Sequence, residues 1–226
     1  MSTRSWMPGA PLASRPDRHG RHSPRTDDAV VDDGPIVGVL ALQGDVHDHL
    51  QVLARVGARG RRVRRASHLE GLAGIVIPGG ESTTIGKLLR RFDMLDPLRT
   101  HLRAGLPAFG TCAGMILLSR ELDQDFDQPL LGVLGVRTRR NAFGRQIDSF
   151  DVDLDVDGIP GGPMDASFIR APKVVAVLDD DVEVLAAVAG DPVVVRQGAV
   201  LAAAFHPEVT GDDRLHAAFV ASLAAS

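Results

Sequence analysis

The one cysteine of the chain, Cys112, lies in the pentapeptide Gly110-Thr111-Cys112-Ala113-Gly114. An apolar, strand-like stretch (Leu106 to Gly110) precedes it, and a helical pattern (Ala113 to Leu122) follows. Small residues two places either side of a nucleophile let a chain turn sharply from strand to helix and expose the side chain at the crest. This is the cysteine counterpart of the G-x-S-x-G elbow. An ordinary thiol has a pKa near 8.5 and is only a few per cent thiolate at neutral pH, so a nucleophilic role needs help. A shift of ~2 units means ~2.7 kcal/mol of stabilisation of the anion. A helix N-terminus and a neighbouring imidazolium are the usual sources. Buried structural cysteines are commoner than nucleophiles, but a packing cysteine has no need of glycine at both −2 and +2.

A base must come from elsewhere in the chain. Phe205-His206-Pro207-Glu208 closes the apolar stretch Val200 to Phe205. Residues two apart on a strand share a side, so Glu208 can hold one nitrogen of His206 and turn the other toward the thiol. A surface histidine beside a surface glutamate would read the same; the elbow is what gives the pair weight. The other histidines do not join it. His47 and His49 fall two apart on a helical pattern, a spacing that does not place them on one face. His19 and His22 lie in the polar N-terminal stretch, and His68, His101 and His216 read as solvated. A tetrahedral set of ligands cannot be assembled from these residues, so no metal and no cofactor are expected. A second loop, Pro78-Gly79-Gly80-Glu81-Ser82, leaves backbone N–H groups at a strand end free to face a carboxylate or an oxyanion. Its spacing matches neither G-x-G-x-x-G nor the P-loop, and a plain turn is the alternative.

These residues need a frame. Residues 1–34 are rich in Arg, Asp, Pro and Ser without periodic apolar positions, and are expected to form a disordered extension. Order begins at Ile36, and residues 35–226 are expected to make one domain. Ile36 to Leu42 and Gly74 to Ile77 are continuous apolar runs, as in strands buried on both faces of a parallel sheet. Helical spacing marks Asp45 to Val56 and the segment after Ser82 or Thr83. A charged strand over residues 60–65 comes between them. In the second half, Phe150 to Val156 alternates apolar with acidic residues, as a half-exposed strand does. Short strands are expected at residues 168–170, 174–178, 182–188, 192–196 and 201–205, with a last helix over 212–224. Alternating strands and helices predict an α/β fold: three layers, an open and mostly parallel sheet with helices on both faces.

Composition narrows the partners. With 44% apolar residues the 226-residue chain can bury a sizeable core, and its net charge of −4 gives no reason to expect nucleic acid or an anionic membrane. Aromatics make up 4%, with no tyrosine, which argues against stacking platforms for single strands. No apolar run approaches the ~20 residues that span a bilayer. A single cysteine cannot form an intramolecular disulfide and fits a reducing, cytoplasmic setting.

The elbow at Cys112 together with His206-Pro207-Glu208 resembles the class I (triad) glutamine amidotransferases, whose sheet is flavodoxin-like. Within that class the chain is similar to the family of glutaminase subunits of pyridoxal 5'-phosphate synthases. The segments that carry this likeness are residues 38–44, 78–84, 140–146, 168–172 and 205–208, spread over the whole expected domain. The resemblance implies that Cys112 attacks the side-chain amide of L-glutamine, giving a glutamyl thioester and ammonia, with His206 as base and Glu208 as its orienter. It implies that Gly80, Glu81, Ser82, Arg140, Ile169 and Arg170 hold the glutamine. Either Arg140 or Arg170 suits the α-carboxylate, through a bidentate fork. Backbone groups at Gly80 and Ala113 are the implied oxyanion donors, completed when the loop at Gln43 meets a partner. That partner would be a (β/α)8-barrel synthase subunit, which receives the ammonia in a hetero-oligomer. Three other readings compete: the glutaminase of another ammonia-using synthase (purine or histidine pathway), a non-catalytic amidotransferase-like binding module, and another elbow chemistry such as that of a cysteine peptidase or the related chaperone-like proteins, against which the Gly79-Gly80-Glu81-Ser82 loop and the two arginines speak. Segments 140–146 and 168–172 argue against the first, and the fully occupied triad against the second.

Overall fold

A computed structural model describes residues 33–124, 127–140 and 149–225. The expected extension therefore falls almost wholly outside the described residues, as do Asn141 to Gln146.

The first half is a run of strand–helix units. β1 (Ile36–Leu40), α1 (Val46–Arg55) and β2 (Arg59–Val63) lead through a 3-10 turn (Ala66–Leu69) to β3 (Gly74–Ile77). Then come α2 (Ser82–Arg91), α3 (Leu95–Arg103), β4 (Ala108–Thr111) and α4 (Ala113–Leu118). The second half is mostly strands: β5 (Ser119–Leu122), β6 (Leu134–Arg139), β7 (Ser149–Leu154), β8 (Met164–Ile169), β9 (Lys173–Val177), β10 (Glu183–Val188), β11 (Asp191–Gln197) and β12 (Val200–Ala203). The helical turn α5 (Pro207–Thr210) and helix α6 (Arg214–Ser222) follow.

The main sheet has the order β10-β11-β12-β4-β3-β1-β2. Its five strands from β12 to β2 are parallel, and β11 and β10 extend it antiparallel. Val37, Val39, Ile75, Val76, Ile77 and Phe109 are fully buried, because helices cover both faces of these central strands. The chain steps one way from β1 to β2 and the other way from β3 to β4. Right-handed crossovers then put α1 and α2 on opposite faces. The contacts agree: α1 packs with α5 and α6, whereas α2 packs with α3 and α4. This is the expected three-layer α/β fold. Two small sheets, β5-β6-β9 and the hairpin β7-β8, lie outside the main one.

Some elements differ from the sequence reading. The helix after Cys112 stops at Leu118, not Leu122, because the Ser119 hydroxyl bonds back to the Ile116 carbonyl (2.6 Å) and across to Thr138 (3.0 Å), and β5 begins there. Helix α3 was not expected, although Leu95, Leu98 and Leu102 bury one face at helical spacing. Strand β6 was also missed. Its Leu134 and Val136 alternate with Gly135 and the exposed Arg137, a pattern blurred by the glycine.

The direction change at β1 and β3 fixes where a site can form. In open parallel sheets, ligands bind beyond the carboxyl ends of the strands where their order reverses. Gln43 follows β1, Gly79 and Gly80 follow β3, Cys112 follows β4, and His206 follows β12. Four adjacent strands deliver them to one edge.

Candidate active site

Cys112 sits between β4 and α4 with φ +47° and ψ −103°, a conformation that L-residues avoid. Such a backbone costs about 1–3 kcal/mol and persists only where its surroundings impose it. Here they do. A Cβ on Gly114 would lie 2.0 Å from the Ile77 carbonyl oxygen, and one on Gly110 would lie 2.7 Å from the Gly114 carbonyl carbon. The two glycines thus let α4 press against β3 and fold back on β4. The Cys112 N–H bonds to the Ala203 carbonyl (2.8 Å), pinning the turn to β12.

His206 caps the turn α5, with Pro207 as its first helical residue. The sequence reading placed His206 and Glu208 on a strand; β12 in fact ends at Ala203, and the helical turn brings them together. His206 Nδ1 lies 2.7 Å from Glu208 Oε1, and the ring shares the cleft floor with the Cys112 thiol, near enough to interact with it. Burial works against charge on this imidazole, but its interactions with Cys112 and with the Glu208 carboxylate push it up to about 10. His206 therefore holds a proton at neutral pH. Cys112, His206 and Glu208 are only 7%, 8% and 6% exposed.

A cleft of about 420 Å³ opens above the thiol. Gln43, Gly80, Glu81, Ser82, Ala113, Arg140 and Arg170 all line it, with Asp45, Ile116 and Val209. Ile169 ends β8, next to Arg170. Arg170 itself turns through φ +45°, a second strained residue at the cleft. All the residues expected at the site thus lie at or beside one opening.

The wall opposite the triad is held by Glu81. Its carboxylate accepts the N–H groups of Thr83 (3.2 Å) and Thr84 (2.6 Å) and the Thr84 hydroxyl (2.7 Å), and it pairs with Arg140. Burial opposes its ionisation, yet the Thr84 hydroxyl, these N–H groups and Arg140 hold it at about 2. Glu81 therefore stays anionic. Arg140 also donates to the Thr83 hydroxyl.

Backbone donors are assigned by what already binds them. Gly79 N–H goes to the Thr111 hydroxyl (3.1 Å) and Glu81 N–H to Gln43 Oε1 (2.8 Å). Among the described residues, no such bond engages the N–H of Gly80. Ala113 begins α4, where helical N–H groups have no partner within the helix. Gly80 and Ala113 both line the cleft together with Cys112. Gly79 has no room for a side chain, since a Cβ there would lie 2.3 Å from Cε1 of His206.

Among the described residues, one cluster has the spacing of metal ligands: Asp45, His206 and Glu208 offer atoms within 4.8 Å of one another. Two of them, His206 and Glu208, are members of the triad and are already joined by the 2.7 Å hydrogen bond.

Sequence reasoning missed four residues here. Asp45 Oδ2 lies 3.7 Å from His206 Nδ1, and Thr111 anchors Gly79. His49 and His216 are fully buried behind the triad, which corrects the reading of His216 as solvated. The signal was periodicity: His49 shares the buried face of α1 with Val52 and Leu53, and His216 that of α6 with Leu215 and Phe219. His49 lies 2.9 Å from His216 and 3.2 Å from the Thr111 hydroxyl.

Comparison with known proteins agrees with this geometry. The family model "SNO glutamine amidotransferase family" matches residues 39–225. The pyridoxal 5'-phosphate synthase subunit PdxT of Frankia alni is 61% identical over 188 residues, covering 83% of this chain and 94% of the relative. The protein of the same name from Mycobacteroides abscessus is 59% identical over 187 residues, covering 82% and 96%. A crystal structure of a glutamine amidotransferase superimposes with a TM-score of 0.78 at 50% identity, covering 84% of this chain and 99% of that one. The chain belongs to the SNO glutamine amidotransferase family.

Proposed function

We propose that the chain hydrolyses the side-chain amide of L-glutamine, as the glutaminase subunit of a pyridoxal 5'-phosphate synthase, through a cysteine thioester. Cys112 beside His206 at the floor of the cleft, with His206 hydrogen-bonded to Glu208, carries this reading. Cys112 sulfur attacks the amide carbonyl, and the negative charge moves to the carbonyl oxygen. Gly80 and Ala113 N–H groups are the donors for that oxyanion; losing one such donor typically costs ~10²–10³ in rate. The intermediate collapses by breaking the C–N bond, and His206 gives its proton to the departing nitrogen, which leaves as ammonia. Water then attacks the thioester, His206 takes its proton, and the C–S bond breaks to release glutamate. Glu208 holds the ring through Nδ1 so that Nε2 faces the reacting atoms.

The cleft suits an α-amino acid beyond the amide. Arg140 and Arg170 offer guanidinium groups for the α-carboxylate, and Glu81 stays anionic to face the α-ammonium. Ser82 and Ile169 complete the glutamine site. Residues 35–226 form the catalytic domain. Its partner is a (β/α)8-barrel synthase subunit that takes the ammonia directly, since ammonia released to neutral water is mostly protonated and unreactive. Gln43, whose side chain bonds the oxyanion loop, is where docking would be felt. A free, catalytic thiol fits a cytoplasmic setting.

The test mixes the purified chain with the barrel subunit and measures glutamate release from glutamine. Wild type should turn over, and Cys112→Ala should not. Absence of glutamate with the partner present, or release by the mutant at the wild-type rate, would sink the proposal.

A further inference from the structure

His49 stands where three parts of the site meet. It comes from α1, which starts three residues after Gln43, and it is fully buried. Its Nε2 lies 3.2 Å from the Thr111 hydroxyl and 3.6 Å from Glu208 Oε1. Its Nδ1 lies 2.9 Å from Nε2 of His216 on α6. The Thr111 hydroxyl in turn accepts the N–H of Gly79, and Glu208 Oε1 accepts from His206. One imidazole therefore touches both the anchor of the oxyanion loop and the acid that orients the base.

The direction of these hydrogen bonds follows from what would be left unpaired. Burial holds His49 well below the ordinary imidazole value and His216 at about 4, so at neutral pH each ring carries one proton. If His49 donated from Nδ1, its Nε2 lone pair would face the Glu208 carboxylate. His216 would then carry its proton on Nδ1, a buried atom without a partner. An unpaired buried donor and a lone pair against an anion are both costly. With the order reversed, His216 Nε2–H donates to His49 Nδ1, and His49 Nε2–H donates to the Thr111 hydroxyl with the Glu208 carboxylate 3.6 Å away on the same side. Only an acceptor on His216 then goes unused.

We propose that His49, oriented by His216, is a positioning residue: its Nε2–H bonds the Thr111 hydroxyl and turns its positive end toward the Glu208 carboxylate 3.6 Å away, setting base and oxyanion loop in one register. This rests on the glutaminase reading above, since without that reaction there is no base to position. A residue that only orients the groups of the transition state should act on kcat and leave substrate binding alone.

The test is glutamate release with the barrel subunit bound, at varied glutamine, for wild type, His49→Phe, His49→Gln and His216→Leu. His49→Phe keeps the volume and loses the donor; kcat should fall about 10–100-fold with KM within about twofold. His49→Gln places an amide N–H near the same point and should recover most of that loss. His216→Leu should lower kcat about threefold or more, and it decides the matter if His49→Phe does not fold. A His49→Phe kcat within twofold of wild type, a glutamine variant no better than the phenylalanine one, or a KM change matching the kcat loss would overturn the proposal. Unchanged kcat in His216→Leu would do the same where that variant decides. An inactive wild type would instead strike at the glutaminase reading itself.

Discussion

The side-chain oxygen of Gln43 accepts the backbone N–H of Glu81 at 2.8 Å, across the peptide that follows Gly80. The loop after β1 thereby steadies the loop after β3. Gln43→Ala removes that hold and frees the Gly80 peptide to turn its N–H away from the thiol. With the barrel subunit present, kcat should fall about tenfold, equivalent to ~1.4 kcal/mol of barrier. Unimpaired turnover would show that the loop holds its shape without Gln43.

Glu208→Gln keeps the shape of the orienting residue and removes its charge. Glutamine turnover should drop about 10²–10⁴-fold, as for other triads whose acid is neutralised. His206 owes part of its rise to about 10 to this carboxylate. In the variant its pKa should fall, so the alkaline limb of activity moves to lower pH. A pH–rate profile measures both, and an alkaline limb that stays in place would contradict the assignment.

Arg140 lines the cleft while paired to Glu81. A charge-assisted hydrogen bond is worth roughly 1.5–3 kcal/mol, or about 10–100-fold in affinity. Arg140→Met should raise the KM for glutamine by about that factor and leave kcat nearly unchanged. An unaltered KM would pass the carboxylate contact to Arg170.

Burial holds His216 at about 4, with Asp213 pulling it up and Arg55 pushing it down. A folded-state value below the unfolded 6.5 means that the unfolded chain binds the extra proton first. The stability involved is complete above pH 6.5 and is lost as pH falls toward 4. The loss is of order 3 kcal/mol. Thermal unfolding of wild type and His216→Leu between pH 4 and 7 should give a shallower pH slope for the variant. Parallel slopes would mean that this ring is already accessible to protons in the folded protein.

Much of this arrangement could be read from the chain. The runs at Ile36 and Gly74 announced central parallel strands, and Gly110 and Gly114 announced the turn at Cys112, because each signal is local. The harder parts depended on distant contacts. β6 draws its order from pairing with β5 and β9, and its own pattern is interrupted by Gly135. His206 and Glu208 converge through a helical turn opened by Pro207, where strand alternation gave the right pairing for the wrong reason. His49 and His216 sit 167 residues apart, and nothing local to either announces the other.

The triad hangs on a single neighbour relation. β4 and β12 lie side by side in register, Thr111 opposite Ala203; Cys112 follows the one directly, and His206 comes three residues after the other, at the start of α5. The thiol and its base thus come from one pair of adjacent strands and one turn of helix. The small sheets, the loop at Gln43 and the rim at Val209 lie outside that pair. They bring Gln43, Arg140, Arg170 and Val209 to the cleft from outside that pair, so the walls that meet the substrate are built separately from the floor that holds the thiol and its base.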